Sequence, residues 1–301
     1  MAEMVPCEFW GWMIPQIKEK HPEIKFIAEV YNPSLYRNFI YGGHFDYLYD
    51  KVGLYDTLRA VTCGQNTASA ITGCWQSVQD IQEHMLNFLE NHDEQRIGSD
   101  FFAGNGSKGK PALVISSCLN TNPMMIYFGQ EFGEQGMDSE GFSGRDGRTT
   151  IFDYWSVDTI RRWRNLGRFD GRMLRSSEKE LQAFYAKVLN LCNEEKAIRE
   201  GQTFDLMYVN YGGWLLNDQR HYAFLRKKDD DLLLIVANFD ENNARVGVRI
   251  PEHAFQYLDI ESHQEIEGVD LLSGHVSKYQ LLPDKICTIE VAANNAAIVK
   301  F

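Results

Sequence analysis

Four short apolar runs, each bounded by polar or turn-forming residues, set the strongest constraint on the fold of the first two hundred residues. The runs are residues 25–31, 45–49, 85–90 and 124–128. Short apolar runs between turn signals are typical of strands buried on both faces. Because helical patterns separate the runs, the sequence predicts a parallel sheet covered by helices.

The predicted helices carry apolar residues at helical spacing. In the first, residues 6–20, Phe9, Met13 and Ile17 recur every four residues. The other predicted helices are residues 33–41, 54–82 with interruptions near Gly64 and Gly73, 110–119, 157–166 and 177–196. Residues 132–150 are rich in Gly, Asp, Ser and Arg, which predicts a long loop.

From about residue 201 the pattern changes to β-favouring runs between Asp, Asn and Gly turns. The clearest runs are residues 221–226, 232–238, 245–250 and 286–291. They predict an all-β sandwich domain over residues 200–301. Residues 1–199 hold only about four strand–helix units, whereas a closed (β/α)8 barrel needs eight over about 250 residues. The predicted fold class is therefore α/β, with half of a (β/α)8 TIM barrel at residues 1–199 ahead of the sandwich.

The charge balance disfavours anionic partners. The 301 residues include 42 acidic and 30 basic side chains, for a formal net charge of −12. Such a field repels phosphate and anionic lipid, so we expect no nucleic-acid partner and no membrane association. The sequence has no eighteen-residue apolar run, and its first residues do not form a signal peptide. Its six scattered cysteines favour free thiols in a reducing compartment, so the predicted location is cytoplasmic.

Two carboxylates stand at the ends of predicted strands. Glu29 follows the apolar residues 26–28, and Asp93 follows the run at 85–90. Catalytic groups of parallel α/β barrels lie at the carboxyl ends of the strands, and glycoside hydrolysis needs paired carboxylates around the scissile bond. The alternative is structural: Glu29 would cap a turn, and Asp93 would begin a helix.

The local sequences around these carboxylates resemble the α-amylase superfamily, glycoside hydrolase family 13. The segment FIAEVY at 26–31 is similar to the family's fifth strand, and NFLENHD at 87–93 to its seventh. Residues 47–51 and 125–131 look like the sixth and eighth strands, and the resemblance continues through 146–154 into the β-rich tail. It implies the second half of the barrel, and a retaining hydrolase of α-glucosidic bonds in starch-like or oligosaccharide substrates.

The resemblance also implies roles for four residues. Glu29 would be the general acid/base, and Asp93 would stabilise the transition state. His92 would bind substrate, and Tyr31 would either stack on a sugar or wall the cleft. We expect Glu29 and Asp93 to lie within one sugar ring of each other.

One part of the family pattern is missing from these 301 residues. The nucleophile of the family is an aspartate in a Gly-x-Arg-x-Asp segment on the fourth strand, and residues 1–6 look like the residues that follow it. The only candidates for a substitute, Asp46 and Asp170, lie outside the expected strand end. We therefore predict that the chain alone is inactive, and that it needs the missing N-terminal half or a second chain.

Other functions stay open at this stage. A transglycosylase or isomerase of the same superfamily would use the same residues, a carbohydrate-binding protein would need no nucleophile, and a truncated product would have no function of its own. The segment 104–110 has phosphate-loop spacing up to its lysine, but Pro111 replaces the Ser or Thr, so we predict a solvated loop there. We expect no cofactor and no metal. Members with the full barrel can carry calcium, but no spaced oxygen ligands occur here.

Overall fold

The computed structural model describes residues 1–138, 144–149 and 157–301. Within them the four apolar runs form a parallel sheet of order β1-β2-β3-β4. The strands are β1 (Ile27–Ala28), β2 (Tyr47–Tyr49), β3 (Met85–Phe88) and β4 (Met124–Met125). Each strand is shorter than its run, because outside these bounds only isolated backbone bonds continue the pairing, such as Asp50 N–H to Leu86 O at 3.0 Å.

Helices cover this sheet. They are α1 (Cys7–Lys20), α2 (Asp56–Thr62), α3 (Ala70–Ser77), α4 (Lys110–Cys118), α5 (Asp158–Arg164), α6 (Ser176–Glu194) and α7 (Lys196–Arg199). The predicted long loop at 132–150 and the family-like segment at 146–154 lie partly outside the described residues.

Two helix predictions differ from the structure, the first in helix type and the second in one of its interruptions. Residues 33–41 form a 3-10 turn, Pro33–Leu35, and a π-helix, Asn38–Gly42, instead of one α-helix. Gly43 N–H donates to Asn38 O, five residues back, at 2.9 Å, so the chain here follows the wider π pattern instead of the α-helical one. A Cβ at Gly43 would lie 2.6 Å from Phe39 O, so the glycine fits this close approach of the backbone. The helical region predicted at 54–82 contains the end of a π-helix, Lys51–Tyr55, followed by α2 and α3. The predicted interruption near Gly64 is confirmed, since Gly64 adopts a φ of 72°, but the one near Gly73 is wrong, because Gly73 lies inside α3.

The segment 104–110 is not a solvated loop. It forms a 3-10 turn, Gly106–Gly109, that leads into α4, and both terminal glycines of that turn are buried. A Cβ on Gly106 would lie 2.6 Å from Gly133 Cα. The Lys110 ammonium stands 5.1 Å from the Phe184 ring centroid, and burial lowers the pKa of Lys110. Close packing of the backbone therefore explains these glycines.

The tail is a β-sandwich domain that carries two short helices. In the described residues its strands are β5 (Gln202–Asp205), β6 (His221–Lys228), β7 (Asp231–Asn238), β8 (Ala244–Arg249), β9 (His263–Asp270), β10 (Val276–Leu281), β11 (Ile286–Val291) and β12 (Asn295–Lys300), and its helices are α8 (Met207–Asn210) and α9 (Glu252–Leu258). A six-stranded sheet of order β10-β9-β12-β7-β6-β5 is accompanied by the pair β11-β8. The sequence did not predict the edge strand β10 or its neighbour β9, because many of their positions are exposed and carry polar residues.

A buried arginine joins the barrel half to the sandwich. Arg226 on β6 donates to the carbonyls of Leu119 after α4 at 2.9 Å, Ala197 on α7 at 2.9 Å and Ile198 on α7 at 2.6 Å. Burial lowers its pKa to about 10. Apolar side chains of both parts form one continuous core around it. No helix of the described residues is long and apolar enough to cross a membrane.

The outer strands of the parallel sheet, β1 and β4, pair with no further strand of the described residues. Ile27 on β1 is 52% exposed, and Phe128 beyond β4 is 43% exposed. Closing the sheet into a barrel would bury such side chains and both open edges.

We therefore expect the purified 301-residue chain either to associate or to bind the dye ANS strongly, because burial of apolar surface is worth about 25 cal/mol per Å². Sedimentation with ANS fluorescence measures this. A monomer of 34.7 kDa that melts cooperatively without an ANS signal would contradict the expectation.

Candidate active site

The carboxyl ends of β1 and β3 bring three predicted site residues together. Glu29 is the residue after β1, and His92 and Asp93 lie in the loop that follows β3. His92 Nε2 is 3.6 Å from Glu29 Oε1 and 3.5 Å from Asp93 Oδ2. The three side chains are 19% to 41% exposed, so the cluster is open to a ligand. The expected closeness of Glu29 and Asp93 holds in this geometry.

The structural alternative for Asp93, that it begins a helix, does not fit this arrangement. No helix begins at Asp93 in the described residues. Instead Asn91 makes the local turn, since its Oδ1 accepts from the backbone N–H groups of Asp93 and Glu94 at 2.9 Å each. The Asp93 carboxylate is therefore left to face His92.

A buried ion pair closes the loop that carries His92 and Asp93. Glu90 and Arg96 are 1% and 0% exposed, and Arg96 Nη1 lies 2.7 Å from Glu90 Oε2. The other carboxylate oxygen of Glu90 accepts from Ile97 N–H at 2.8 Å, and Arg96 Nε donates to Thr149 Oγ1 at 3.2 Å. The Arg96 guanidinium also lies 4.4 Å from the centroid of the Tyr127 ring. This clamp holds both ends of residues 90–97 and so fixes the loop between them.

Arg96→Met is expected to lower the free energy of unfolding by about 3–5 kcal/mol, because it leaves Glu90 charged and unpaired in the interior. Chemical denaturation measures the loss. The control is Lys278→Met, which removes an equally short pair with Glu265 (2.6 Å) on the surface and should leave the free energy of unfolding nearly unchanged. Equal effects of the two changes would refute the clamp.

Two tyrosines, Tyr31 and Tyr49, line the cluster of Glu29, His92 and Asp93. Burial, and then the carboxylates of Glu29 and Asp93, raise the pKa of both Tyr31 and Tyr49. The Tyr31 hydroxyl is shielded from solvent and has no hydrogen-bond partner in the described structure. Buried hydroxyls are normally satisfied, so this oxygen is an exception among the buried polar groups beside the cluster.

Asp50 follows β2 at the same end of the sheet and is 4% exposed. Its Oδ1 accepts from Leu54 N–H at 2.8 Å and caps the π-helix Lys51–Tyr55. Burial raises the pKa of Asp50 to about 6, although the backbone bonds oppose the shift.

This pKa lies above the unfolded value of about 3.9, so the folded state binds the proton of Asp50 more tightly than the unfolded state does. The stability that this proton provides is therefore lost as pH rises from 4 towards 6. We expect Asp50→Asn, which keeps the accepting oxygen, to flatten the dependence of the melting temperature on pH in this window. An unchanged pH profile would contradict the role of Asp50.

Other contacts engage the two candidates for a substitute nucleophile, Asp46 and Asp170, and also two carboxylates near the cluster, Glu3 and Glu94. Asp46 precedes β2 at the opposite end of the sheet and pairs with Lys18 at 2.7 Å. Asp170 accepts from Asn165 Nδ2 at 2.8 Å, outside the strand ends. Near Tyr31, Glu3 accepts from the backbone N–H groups of Tyr31 and Asn32, and Glu94 accepts from Tyr55 Oη at 3.0 Å. None of these described side chains stands free to attack a sugar beside Glu29.

The cluster could also hold a cation. One ligand atom each of Glu29, His92 and Asp93 lies within 4.8 Å of the others, a spacing that one metal ion could span. The prediction of no metal therefore stays a prediction. His92 lies within ion-pair distance of both carboxylates, and these contacts can hold the three side chains together without a metal ion.

No protein-family model matches the chain. A cyclomaltodextrinase from Bacillus sp is 23% identical over 249 residues, which are 80% of this chain and 38% of that relative. A solved structure, a noncanonic maltogenic α-amylase, AmyB, from Thermotoga neapolitana, matches with a TM-score of 0.65 and 16% identity over 100% of this chain and 60% of its own. A variant of AmyP in complex with maltotriose matches with a TM-score of 0.71 and 14% identity over 99% of this chain and 63% of its own. The fold is that of the α-amylase family.

These similarities confirm the resemblance and the predicted fold class of the chain. The chain spans 38% of the length of the cyclomaltodextrinase and 60% and 63% of the two solved chains. In α-amylase terms the described strands β1 to β4 are the second half of the barrel, and the sandwich follows them.

Sequence reasoning missed the residues that support the site. Glu90 and Arg96 carry the loop, Asn91 turns it, and Asp50 fixes the neighbouring strand end. A signal was present for Glu90, since it is a charge that closes an otherwise apolar run. Nothing local in the sequence indicates that Arg96 is its partner.

Proposed function

We propose that the carboxyl ends of β1 to β4 form the acid/base half of a retaining active site for α-glucosidic bonds. The observation that carries the proposal is the cluster of Glu29, His92 and Asp93 at the mouth of an α-amylase-type sheet. Starch-like glucans or maltooligosaccharides are the proposed substrates, and the match to AmyP structures in complex with maltose and maltotriose supports that class.

In the proposed reaction Glu29 donates its proton to the glycosidic oxygen as the bond to the anomeric carbon breaks. A nucleophilic carboxylate bonds to that carbon from the opposite face. Glu29 then takes a proton from water, which attacks the same carbon and releases the sugar. Asp93 and His92 bind sugar hydroxyls, and the negative charge of Asp93 stabilises the oxocarbenium-like transition state.

The nucleophile must come from outside the described residues. In retaining enzymes it stands about 5–5.5 Å from the acid carboxyl. The side of Glu29 beyond β1 is the open edge of the sheet, and the first residues of the chain approach Glu29 there. Ala2 N–H donates to the Glu29 carbonyl at 2.9 Å, and the N-terminal ammonium of Met1 lies 3.6 Å from Glu29 Oε2. A strand that closes the barrel against β1 would place its carboxyl end next to Glu29, whether that strand belongs to the same polypeptide or to a second chain.

Product analysis separates hydrolysis from transglycosylation in an enzyme assembled with the other barrel half. We expect maltotriose to yield only shorter sugars, because open strand ends leave water access to the intermediate. Accumulation of longer maltooligosaccharides would identify a transglycosylase.

A second candidate function of this chain is carbohydrate binding without turnover. It is favoured because no free nucleophile stands beside Glu29 in the described residues. Saturable maltotriose binding without sugar release distinguishes it. The cytoplasm stays the predicted location.

A further inference from the structure

A cavity of about 350 Å³ lies between the barrel half and the sandwich, remote from the cluster of Glu29, His92 and Asp93. Its wall includes residues 79–83, which precede β3, and residues 120–121, which precede β4. It therefore opens at the amino ends of the strands, whereas the proposed active site is at their carboxyl ends. From the sandwich side the cavity is lined by residues 201–203 and by Tyr257 on α9.

Two aromatic side chains from different domains line this cavity. Trp75 on α3 is held rigidly, since its Nε1 donates to Asp205 Oδ2 and to Tyr222 Oη at 3.2 Å each. Tyr257 is 61% exposed, although large apolar rings on a helix usually face the core. A fixed ring that is already positioned loses little entropy when a flat ligand binds to it.

Tyr257 belongs to a cluster of rings on the sandwich surface. The Phe204 ring lies 5.9 Å from Tyr257 and 5.1 Å from His253. The hydroxyl of Tyr208, a residue that is 54% exposed, lies 2.6 Å from His253 Nε2. Exposed rings of this kind offer apolar faces with polar edges, which suits surfaces that meet both water and apolar groups.

The polar lining of the cavity is mostly uncharged. The amides of Gln79, Gln82 and Gln202, and the hydroxyl of Thr121, line it, and their side chains make no hydrogen bond to another described residue. Free amides and hydroxyls can form hydrogen bonds with the hydroxyls of a sugar. The flat rings beside them can stack on its apolar face. The surface lacks the aliphatic centre that a protein partner would bury.

We propose that this joint cavity is a second α-glucan-binding site, with Tyr257 and Trp75 as its stacking platform. The choice of α-glucan rests on the proposed function, while the binding chemistry rests on the cavity itself. The site would hold a polymer on the face opposite the proposed active site and would take no part in bond cleavage.

The test uses affinity electrophoresis of the 301-residue chain in gels that contain glycogen, with maltoheptaose titration in solution. Tyr257→Ala is expected to raise the Kd about tenfold, which corresponds to about 1.4 kcal/mol. Because Tyr257 is mostly exposed, this change should not disturb folding. Gln202→Ala should weaken binding in the same direction. The matched control is Trp214→Ala, an aromatic side chain that is 91% exposed outside the cavity, and it should leave the Kd unchanged.

Asp93→Asn separates this proposal from the proposed function. Glycogen retardation that survives Asp93→Asn and is lost in Tyr257→Ala supports the second site. Retardation that is lost in Asp93→Asn and kept in Tyr257→Ala overturns the second site and leaves the proposed active site standing. No retardation of the unmodified chain also overturns the second site. Self-association that Tyr257→Ala abolishes, with no effect on glucan binding, would identify the surface as an interface between copies instead.

Discussion

Glu29→Gln in an enzyme assembled from this chain and the other barrel half is expected to lower kcat on maltotriose by about 10²–10⁴, the usual contribution of general acid–base catalysis. Glutamine keeps the size of the side chain and its hydrogen-bonding oxygen, but it cannot donate a proton to the glycosidic oxygen. KM should change much less, because the amide still fits beside His92. Steady-state kinetics of sugar release measures both.

The control for Glu29→Gln is Glu23→Gln, the same change in a carboxylate that is 73% exposed before β1. It should leave kcat and KM unchanged. If Glu29→Gln raised KM and left kcat unchanged, Glu29 would only bind substrate. An unchanged kcat would remove it from the mechanism.

The isolated 301-residue chain is expected to release no sugar from maltooligosaccharides above background. In one protease, loss of the nucleophile alone costs on the order of 10⁶ in kcat, and Asp46, Asp170, Glu3 and Glu94 are committed to other contacts. A reducing-sugar assay measures the release, and addition of the other barrel half should restore it.

The outcome that would contradict this expectation is specific. Turnover by the isolated chain that Glu29→Gln abolishes would show that another group acts as the nucleophile. Turnover that Glu29→Gln leaves intact would point to a contaminating enzyme. Purification of the unmodified chain by a second route would then remove the turnover.

The positions of the four parallel strands along the chain could be predicted from the sequence because each is part of a short apolar run with a break after it. The closeness of Glu29 to His92 and Asp93 followed from the parallel arrangement, since all carboxyl ends lie on one edge. These predictions depend on local patterns and on one topological rule.

Features that depend on long-range packing could not be predicted. Arg96 pairs with Glu90 across a loop, and Arg226 binds carbonyls of α7 and of Leu119 that are distant in sequence. The π-helix at Asn38–Gly42 replaced predicted α-helix, and the π-helix at Lys51–Tyr55, capped by Asp50, begins three residues before the predicted helical region. The edge strand β10 and its neighbour β9 carry too few apolar residues to be recognised.

The most direct test of the central claim, that the strand ends bearing Glu29, His92 and Asp93 bind glucan, is the imidazole NMR signal of His92 during titration with maltotriose. His92→Gln assigns the signal among the eight histidines of the chain. We predict that maltotriose shifts the His92 signal saturably in the unmodified chain, and that this shift does not occur in Asp93→Asn. A His92 signal that stays fixed at saturating maltotriose, while His253 or another distant histidine responds, would contradict the claim.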